Sequence, residues 1–440
     1  MYLADRRGTT APASAAAAPG TRPGRRAAAV PATVLALGAV SLITDVSSEM
    51  VSAVLPLYLL TGLGLSPLGF GVLDGLNNGV GALVRLLGGH LADRGRSGHK
   101  AVAAVGYGLS ALCKPLLLFA HTVPLIGAVL AVDRTGKGLR TAPRDAMISL
   151  ATEPEHRGRA FGVHRAMDTA GALLGPLVAF GVLRLANGPL LAGGGGEGGY
   201  DAVFAVSGCV AALGVLVLML FVPGRVKAAA PSAPAVPLRD AFALLRLPAL
   251  RRLTLCAVLL GLTTVSDSFL YLLLQRRLDL PTHLFPLLPL GTAAAFLLLA
   301  VPLGALADRI GRRRLFLAGH GVLLLAYGLV LAPASGGAVA VCVLVLHGAF
   351  YASTDGVLAA AAADAVPAGQ RGAGLALVGT GQALARFGCS FAFGAAWSAV
   401  GGQAALGWFA GALAVCVAGA ALVLRGPAGD RPHDSSEMAL

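Results

Sequence analysis

Charged residues are scarce in this chain of 440 residues and make up 12% of it, about half the share found in an average soluble domain. Hydrophobic residues account for 56%, and only the two termini and the middle of the chain hold longer hydrophilic stretches. This scarcity of charge excludes an ordinary soluble protein. It predicts an all-α polytopic membrane protein, because helices satisfy every backbone polar group within the span.

Cysteine and aromatic residues are also sparse, which narrows the possible chemistry. The six cysteines stand singly inside apolar runs, without a CxxC pair or a Cys/His cluster, so the sequence predicts neither a disulfide nor a metal site. Aromatic residues, at 6%, do not outline an aromatic pocket. Neither a nucleophile elbow nor a phosphate loop is present. We therefore expect no enzymatic activity and no cofactor.

The net charge of +13 does not predict nucleic-acid binding, because the basic residues lie in short loops between apolar runs, as the positive-inside rule describes. With both termini in the cytoplasm, most of these loop charges fall on the cytoplasmic side. The outer loops retain only Arg184, Arg276 and Arg277. We therefore expect a multi-pass protein of the plasma (inner) membrane that is surrounded by the lipid bilayer.

Twelve apolar runs are near or above the roughly 20 residues that a helix needs to cross a bilayer. They predict spans at about 31–60, 67–92, 101–120, 122–145, 160–184, 201–222, 253–275, 284–306, 315–332, 338–362, 373–398 and 404–425. The domains expected are a disordered cytoplasmic tail (1–29), an N-terminal six-helix half (30–222), a cytoplasmic linker (223–252), a C-terminal six-helix half (253–425) and a second cytoplasmic tail (426–440).

One charged turn between two apolar runs occurs twice. Its copies read Gly-His-Leu-Ala-Asp-Arg-Gly-Arg from residue 89 and Gly-Ala-Leu-Ala-Asp-Arg-Ile-Gly-Arg from residue 304, and their Asp-Arg pairs are 215 residues apart. An Arg-Gly pair at 157 and again at 371 keeps nearly the same offset. The repetition predicts two homologous halves.

This duplicated turn, with six-plus-six spans and a central linker, resembles the major facilitator superfamily of secondary transporters. The resemblance implies two pseudo-symmetric halves that alternate access to a central substrate site. It also implies a gating role for Asp93 and Arg94, and for Asp308 and Arg309, in charge interactions at the cytoplasmic surface. The first copy departs from the family pattern in the spacing of its basic residues.

The first span carries two acids, Asp45 and Glu49, whose spacing of four places them on one helical face. Ionisable groups in the middle of a span are costly and mark functional sites. The fourth span carries Asp133, Arg134 and Lys137, and its Arg-x-x-Lys-Gly resembles the superfamily's R-x-x-Q-G motif, in which the arginine is linked to proton transfer. We predict proton coupling at Asp45 and Glu49, sensed by Arg134.

Other charged residues of the spans predict ion pairs or cavity lining. The spacing of four between Asp133 and Lys137 predicts a pair along the fourth span, and Arg165 and Asp168 are expected to neutralise each other. Arg140 and Arg144 are expected to reach toward the cytoplasmic surface. Further candidates for the cavity are Asp74, Lys114, Asp267, Asp355 and Arg386, of which Asp267 and Asp355 are the strongest in the C-terminal half.

The fifth span suggests the direction of transport. Gly162, Gly171, Gly175 and Pro176 resemble the antiporter motif of this superfamily, G-x8-G-x3-G-P-x2-G-G, although the final glycine pair is missing. Physically, Gly171 and Gly175 form a face of small residues that permits close helix contact. Ordinary packing of membrane helices would explain the same face.

These features predict a monomeric antiporter that exports a small organic molecule, with drug-like compounds among the candidates, in exchange for protons. Proton-coupled uptake of a metabolite uses the same charges and remains an alternative. A membrane sensor on the same fold is a second alternative, but it would not need the charged first and fourth spans.

Overall fold

The computed structural model describes residues 30–92, 99–186, 198–224, 243–333, 336–367 and 370–424. The N-terminal half contains six long helices: α1 (Ala32–Leu57), α2 (Pro67–Ala92), α3 (His99–Leu116), α4 (Val123–Leu150), α5 (Arg157–Ala186) and α6 (Gly198–Phe221). A π-helical turn, Tyr58–Gly62, extends α1, and a 3₁₀ turn, Leu117–Phe119, extends α3.

The C-terminal half contains seven helices in the described residues: α7 (Pro248–Thr263), α8 (Asp267–Leu278), α9 (Leu287–Ile310), α10 (Arg312–Leu331), α11 (Gly337–Asp364), α12 (Arg371–Val400) and α13 (Gly402–Leu424). The first of them begins inside the stretch predicted as linker. Only three residues separate α7 from α8. The two helices therefore form one span, and the C-terminal half has six spans.

Ten of these spans are long and apolar enough to cross a membrane, and the described residues contain no β-strand. The predicted all-α membrane fold is therefore confirmed. The remaining two segments, α2 and α4, have comparable lengths of 26 and 28 residues. Six charged residues lie on α4, which lowers its hydropathy below that of its neighbours.

The seventh span is interrupted at residues 264–266, where the sequence predicted one continuous helix. The backbone of Thr264 is extended, and α8 starts afresh at Asp267. The break frees the amide of Val265, which donates a hydrogen bond of 2.8 Å to the hydroxyl of Tyr327 on α10. Such broken spans are stable where neighbouring side chains satisfy the freed backbone groups.

Replacing Tyr327 with Phe should therefore destabilise the fold. Tyr327 is fully buried, so the variant would leave the Val265 amide without a partner, at a cost of about 1–3 kcal/mol. We expect a lower melting temperature in detergent. Tyr107→Phe is the control, because the Tyr107 hydroxyl makes only a long contact, 3.5 Å, to Ser41. Equal melting of the two variants would contradict this role of Tyr327.

The two halves pack tightly at the end of the bundle where α1 finishes and α2 begins. A Cβ atom at Gly71 of α2 would lie 2.5 Å from the carbonyl oxygen of Ser390 on α12, and one at Gly394 would lie 2.6 Å from that of Pro67. On the same side, the ring of Phe180 lies 6.1 Å from that of His283. We call this end, opposite the start of α1, the closed side.

Candidate functional site

Asp45 of α1 lies near the middle of its span and contacts two basic side chains of α4. Its carboxylate is 3.4 Å from the guanidinium of Arg140 and 3.9 Å from the ammonium of Lys137. The Arg140 side chain is only 4% exposed, so it does not reach toward the surface as the sequence predicted. We call the ion cluster of Asp45, Lys137 and Arg140 the α1–α4 ion cluster.

Hydroxyl and ring contacts extend this cluster to α3 and α5. The guanidinium of Arg140 lies 4.5 Å above the centre of the Tyr107 ring, and the Tyr107 hydroxyl is 3.5 Å from Ser41. Ser41 in turn hydrogen-bonds Nε2 of His164 at 3.0 Å. Asp45 therefore sits in a polar network that joins four helices of one half.

The same network includes Asp168 of α5, which links two arginines. Its carboxylate is 3.5 Å from Arg165, confirming the predicted pair, and 3.8 Å from Arg144 of α4. Arg144 also binds Asp145 at 2.9 Å. A change of charge at this level of the bundle can thus act on the contacts between α4 and α5.

The predicted pair of Asp133 with Lys137 is wrong. Asp133 instead accepts hydrogen bonds from Lys114 at 2.9 Å and from Ser110 at 2.5 Å, both on α3. The Lys114 and Asp133 side chains are only 4% and 9% exposed. Lys137 is turned toward α1, where its ammonium lies 3.9 Å from the Asp45 carboxylate.

Arg134 does not contact Asp45, although the sequence predicted that it senses the proton there. Its Nε donates a hydrogen bond of 2.5 Å to the side-chain oxygen of Asn77 on α2. Asn77 lines a cavity between the halves. Arg134 therefore connects the charged fourth span to that cavity, and the basic groups beside Asp45 are Lys137 and Arg140.

Glu49 faces α5 through the predicted glycine face, and the described residues offer it no hydrogen bond or ion pair. A Cβ atom at Gly175 would lie 2.6 Å from that of Glu49, and one at Gly171 would lie 2.4 Å from the Leu42 carbonyl oxygen. Both positions thus need glycine for the contact of α1 with α5. Gly162 has open space around it, and α5 continues through Pro176.

The C-terminal half also holds an acid against a partner span. Asp267, the first residue of α8, accepts a hydrogen bond of 2.5 Å from the hydroxyl of Tyr351 on α11. Nε2 of His347 lies 3.4 Å from the same carboxylate oxygen, yet both ring nitrogens are buried without a hydrogen bond. Each half therefore places an acid of its first span against its fourth.

A cavity of about 140 Å³ opens where α8 begins, between the two halves. Its lining includes Asp74 and Asn77 of α2, Ser266 and Asp267 at the break, and Arg386 and Ser390 of α12. The hydrogen bond of 2.7 Å from Ser390 to Asp74 crosses from one half to the other. Arg386, Tyr351 and Asp267 lie near the middle of their spans, the level at which transporters of this architecture bind substrate.

The other predicted site residues are dispersed. Asp355 is exposed on α11 and does not line the cavity between the halves. Asp308, at the end of α9, pairs at 3.6 Å with Arg312 of the same half, and Arg309 is exposed. Asp93 and Arg94, the first copy of the turn, lie outside the described residues.

Several side chains around the α1–α4 ion cluster and at the cavity between the halves were not singled out from the sequence. Ser41, Tyr107, Ser266, Ser390 and Tyr351 are ordinary hydroxyl residues in apolar runs, and only their contacts show their importance. A usable signal existed at the break, where Ser-Asp-Ser after two threonines has the composition of a helix start. In the part of the chain that the structure describes, no three His, Cys, Asp or Glu residues converge to hold a metal ion.

Comparison with solved structures relates this architecture to transporters. A nucleoside transporter, NupG, is 14% identical with a TM-score of 0.73, covering 90% of this chain and 100% of its own. A peptide transporter, POT, in complex with sulfate is 16% identical with a TM-score of 0.71, covering 90% and 94%. At sequence identities this low, the similarity to these two structures shows the fold only.

Two curated relatives match part of the chain. An MFS-type transporter of Methanocaldococcus jannaschii is 40% identical over 144 residues, 32% of this chain and 35% of the relative. A protein of Mycobacterium bovis is 36% identical over 152 residues, 34% and 37% respectively. The match thus spans about a third of each relative's length.

The sequence profile described as Major Facilitator Superfamily matches residues 37–298 and 284–439, which together make up most of the chain. Family and fold point to a transporter of small molecules rather than an enzyme. The chain is therefore a multi-pass membrane protein that belongs to the Major Facilitator Superfamily.

Proposed function

We propose that this transporter exports a small organic molecule in exchange for protons, with Asp45 as the proton-coupling residue. The observation that carries the proposal is the α1–α4 ion cluster: one carboxylate, 11% exposed, holds two cations of the neighbouring span. Protonating that carboxylate removes its charge and leaves Arg140 and Lys137 without their counter-ion. Binding of one proton therefore changes the contact between α1 and α4.

The geometry around Asp45 also supports a link to helix movement. Gly171 and Gly175 hold α5 directly against α1 at the level of the two acids, so α1 and α5 must move together. In well-packed interfaces of this kind, two discrete arrangements are favoured over gradual deformation. The protonation state of Asp45 can thus bias the arrangement of three helices at once.

A path to the cavity between the halves runs through the fourth span. Arg134 follows Asp133 in the chain and binds Asn77, which lines the cavity. A displacement of α4 on protonation of Asp45 would therefore move a side chain at the cavity wall. This path makes binding of a proton and binding of substrate mutually dependent, as exchange requires.

Two features support export as the direction of transport. The fifth-span glycines resemble the antiporter motif, and two of them pack against the acid-bearing α1. If the termini are cytoplasmic, as predicted, the closed side is the outer side, which is the arrangement in which an exporter accepts its substrate from the cytoplasm. One proton crossing 100 mV releases about 2.3 kcal/mol, which supports a substrate gradient of about 50-fold.

The test uses proteoliposomes of known orientation with an imposed pH gradient, in which lumenal pH is followed as compounds are added. We expect proton movement opposite to that of a transported compound. Asp45→Asn should abolish this coupled proton movement, because the variant cannot bind and release the proton, while leaving membrane insertion unchanged.

The control is Asp201→Asn, the same change at an exposed acid in the first turn of α6, which should leave coupling intact. Proton and substrate movement in the same direction would overturn antiport in favour of uptake. Undiminished coupled flux in Asp45→Asn would overturn the role of that residue but not the exchange itself.

A further inference from the structure

A second cavity, of about 190 Å³, opens at the closed side within the C-terminal half. The helices α8, α10 and α12 end beside it, and α13 begins there. The ends of spans lie at the level of the polar headgroups of a bilayer. We call this space the arginine cavity, and its lining includes Leu273, Arg276, Arg277, Trp397, Gln403 and Leu406.

Arg276 brings hydrogen-bond donors to this cavity that the described residues leave unused. Its guanidinium lies 5.3 Å from the centre of the Trp397 ring. Stacking on an aromatic face leaves the N–H groups at the edge of a guanidinium available for an anion, and the described residues accept no hydrogen bond from them. Because Trp397 is only 6% exposed, it is a fixed platform that holds this charge at the cavity.

Arg277 adds a second guanidinium, which is fixed from another side. Its two terminal nitrogens donate hydrogen bonds to the carbonyl oxygens of Val330, in the last turn of α10, and of Ala332, just after it. A guanidinium has five N–H donors, so these two bonds leave further donors available. Arg277 therefore caps α10 and also contributes positive charge to the cavity.

These two positive charges have no carboxylate partner among the described residues. The lining contains no acid, and Asp279, which follows α8, is exposed and lies outside it. With the predicted topology, Arg276 and Arg277 are two of the three arginines in the outer loops, where the positive-inside rule disfavours basic residues. Capping of α10 accounts for Arg277 but not for Arg276, whose charge indicates an anionic ligand.

The arrangement of donors favours a phosphate group over a carboxylate. Guanidinium binds both anions through two parallel hydrogen bonds. A carboxylate presents its two oxygens in one plane, whereas the oxygens of a phosphate are arranged tetrahedrally. A phosphate can therefore bind both arginines of α8 together with the side-chain amide of Gln403 on α13. Basic pockets between membrane helices bind anionic lipid headgroups in the same way.

The depth and size of the cavity limit the rest of the ligand. Leu273 lies one turn before Arg276 on α8, and it and Leu406 are buried, so the floor of the cavity is apolar. A charged rim above an apolar floor matches a phosphate ester. The volume of about 190 Å³ is below the roughly 300–1,000 Å³ of sites for drug-sized molecules, so only the phosphate and its nearest substituent would enter.

We propose that the arginine cavity binds the phosphate group of a phosphate ester, with Arg276, Arg277 and Gln403 as its donors. This group belongs either to the headgroup of an anionic phospholipid or to a free phosphate ester. The site is separate from the cavity between the halves, and binding requires neither a proton gradient nor a transported substrate. The proposal is therefore independent of the proposed exchange.

The chain contains two tryptophans, one of which reports on this cavity. Trp408 is 61% exposed, so Trp408→Phe leaves Trp397 as the sole tryptophan without disturbing the interior. This protein, purified in a non-ionic detergent, is titrated with glycerol 3-phosphate and with dioctanoyl-phosphatidylglycerol while the emission of Trp397 is followed. We expect a saturable change, because phosphate draws the guanidinium of Arg276 away from the ring. Potassium chloride at equal ionic strength should produce none.

Further probes identify the chemistry and the source of the ligand. Dioctanoylglycerol, which has the same chains without the phosphate, should cause no saturable change, and acetate should bind at least about tenfold more weakly than glycerol 3-phosphate. Half-saturation by the phosphatidylglycerol at a concentration at least about tenfold lower than by glycerol 3-phosphate would identify a lipid headgroup. Equal half-saturation would identify a free phosphate ester.

Variants of Arg276 test its role by a second measurement, the rise in melting temperature on binding. In Arg276→Gln, the concentration of either phosphate probe needed for this rise should increase at least about tenfold, as expected for loss of a charged hydrogen bond. Arg276→Lys keeps the charge but not the fork and should recover only part of the binding. Arg184→Gln is the control, because Arg184 is an exposed arginine in the last turn of α5 outside this cavity.

Three results would overturn the proposal. Dioctanoylglycerol could act as strongly as the phosphatidylglycerol, which would assign binding to the chains, or acetate could bind as tightly as glycerol 3-phosphate. Arg276→Gln could also respond to the phosphate probes like Arg184→Gln. The absence of a saturable change with both phosphate probes would equally reject the site and leave Arg276 as a stacked side chain at the end of a span.

Discussion

Asp133→Asn should strongly destabilise the protein, by about 3–5 kcal/mol, the usual cost of removing one partner from a buried ion pair. Lys114 is buried and binds Asp133 at 2.9 Å, and no other carboxylate is found within ion-pair distance of it in the described residues. The variant would leave its ammonium uncompensated in the interior of the bundle. We expect a large decrease in melting temperature of the detergent-purified protein.

A double variant distinguishes this explanation from loss of packing. Lys114→Met combined with Asp133→Leu removes both charges and keeps the volume, so much of the stability should return. The control for a solvated pair is Asp364→Asn. Asp364 binds Arg312 at 2.5 Å, but its side chain is 62% exposed, and such pairs contribute about 0–1 kcal/mol. Similar losses for Asp133→Asn and Asp364→Asn would contradict the buried-pair account.

Gly71→Ala should open the closed side of the bundle. The added Cβ would meet the Ser390 carbonyl oxygen at 2.5 Å and the Cα of Gly394 at 3.2 Å, and backbone atoms cannot move aside as a flexible side chain does. Overpacking of this kind costs about 1–3 kcal/mol, which changes the ratio of two conformations about 5- to 150-fold. The state with this side open should therefore gain population.

Distances between spin labels at Asp201 and Thr282 would measure the opening. Both residues are exposed on the closed side, one in each half, and the exposed Cys209 and Cys342 would be replaced by Ser beforehand. We expect a longer distance component in Gly71→Ala. Gly108→Ala, at a glycine of α3 with open space around it, should keep the original distribution. An unchanged distribution in Gly71→Ala would show that α2 and α12 do not form the closure.

The helices could be predicted from the sequence because a bilayer imposes a single requirement, namely about 20 apolar residues per span. The glycine face of α5 was predictable for a similar reason, since Gly171 and Gly175 recur on one side of a helix. The interruption at residues 264–266 was missed because hydropathy continues through it. The Tyr327 hydroxyl that stabilises it lies 62 residues away.

The ion-pair partners of the charged residues were harder to predict than the presence of charged residues in the spans. Spacing along one helix suggested a pair of Asp133 with Lys137, yet each finds its partner on a different helix. Which helices face each other depends on the packing of the whole bundle, which the local sequence does not encode. The residues Asp74, Asp267 and Arg386 were recognisable as costly charges, but only the fold brings them around one cavity.

The interrupted seventh span has a mechanical consequence. Arg277, near the far end of α8, donates hydrogen bonds to the carbonyl oxygens of Val330, in the last turn of α10, and of Ala332, just after it, so that end is attached. The other end, at Asp267, is separated from α7 by the break. A helix of 12 residues is about 18 Å long. A tilt of about 10° around the attached end would therefore move the cavity end by about 3 Å, comparable to two residues of helical rise, while α7 stays in place.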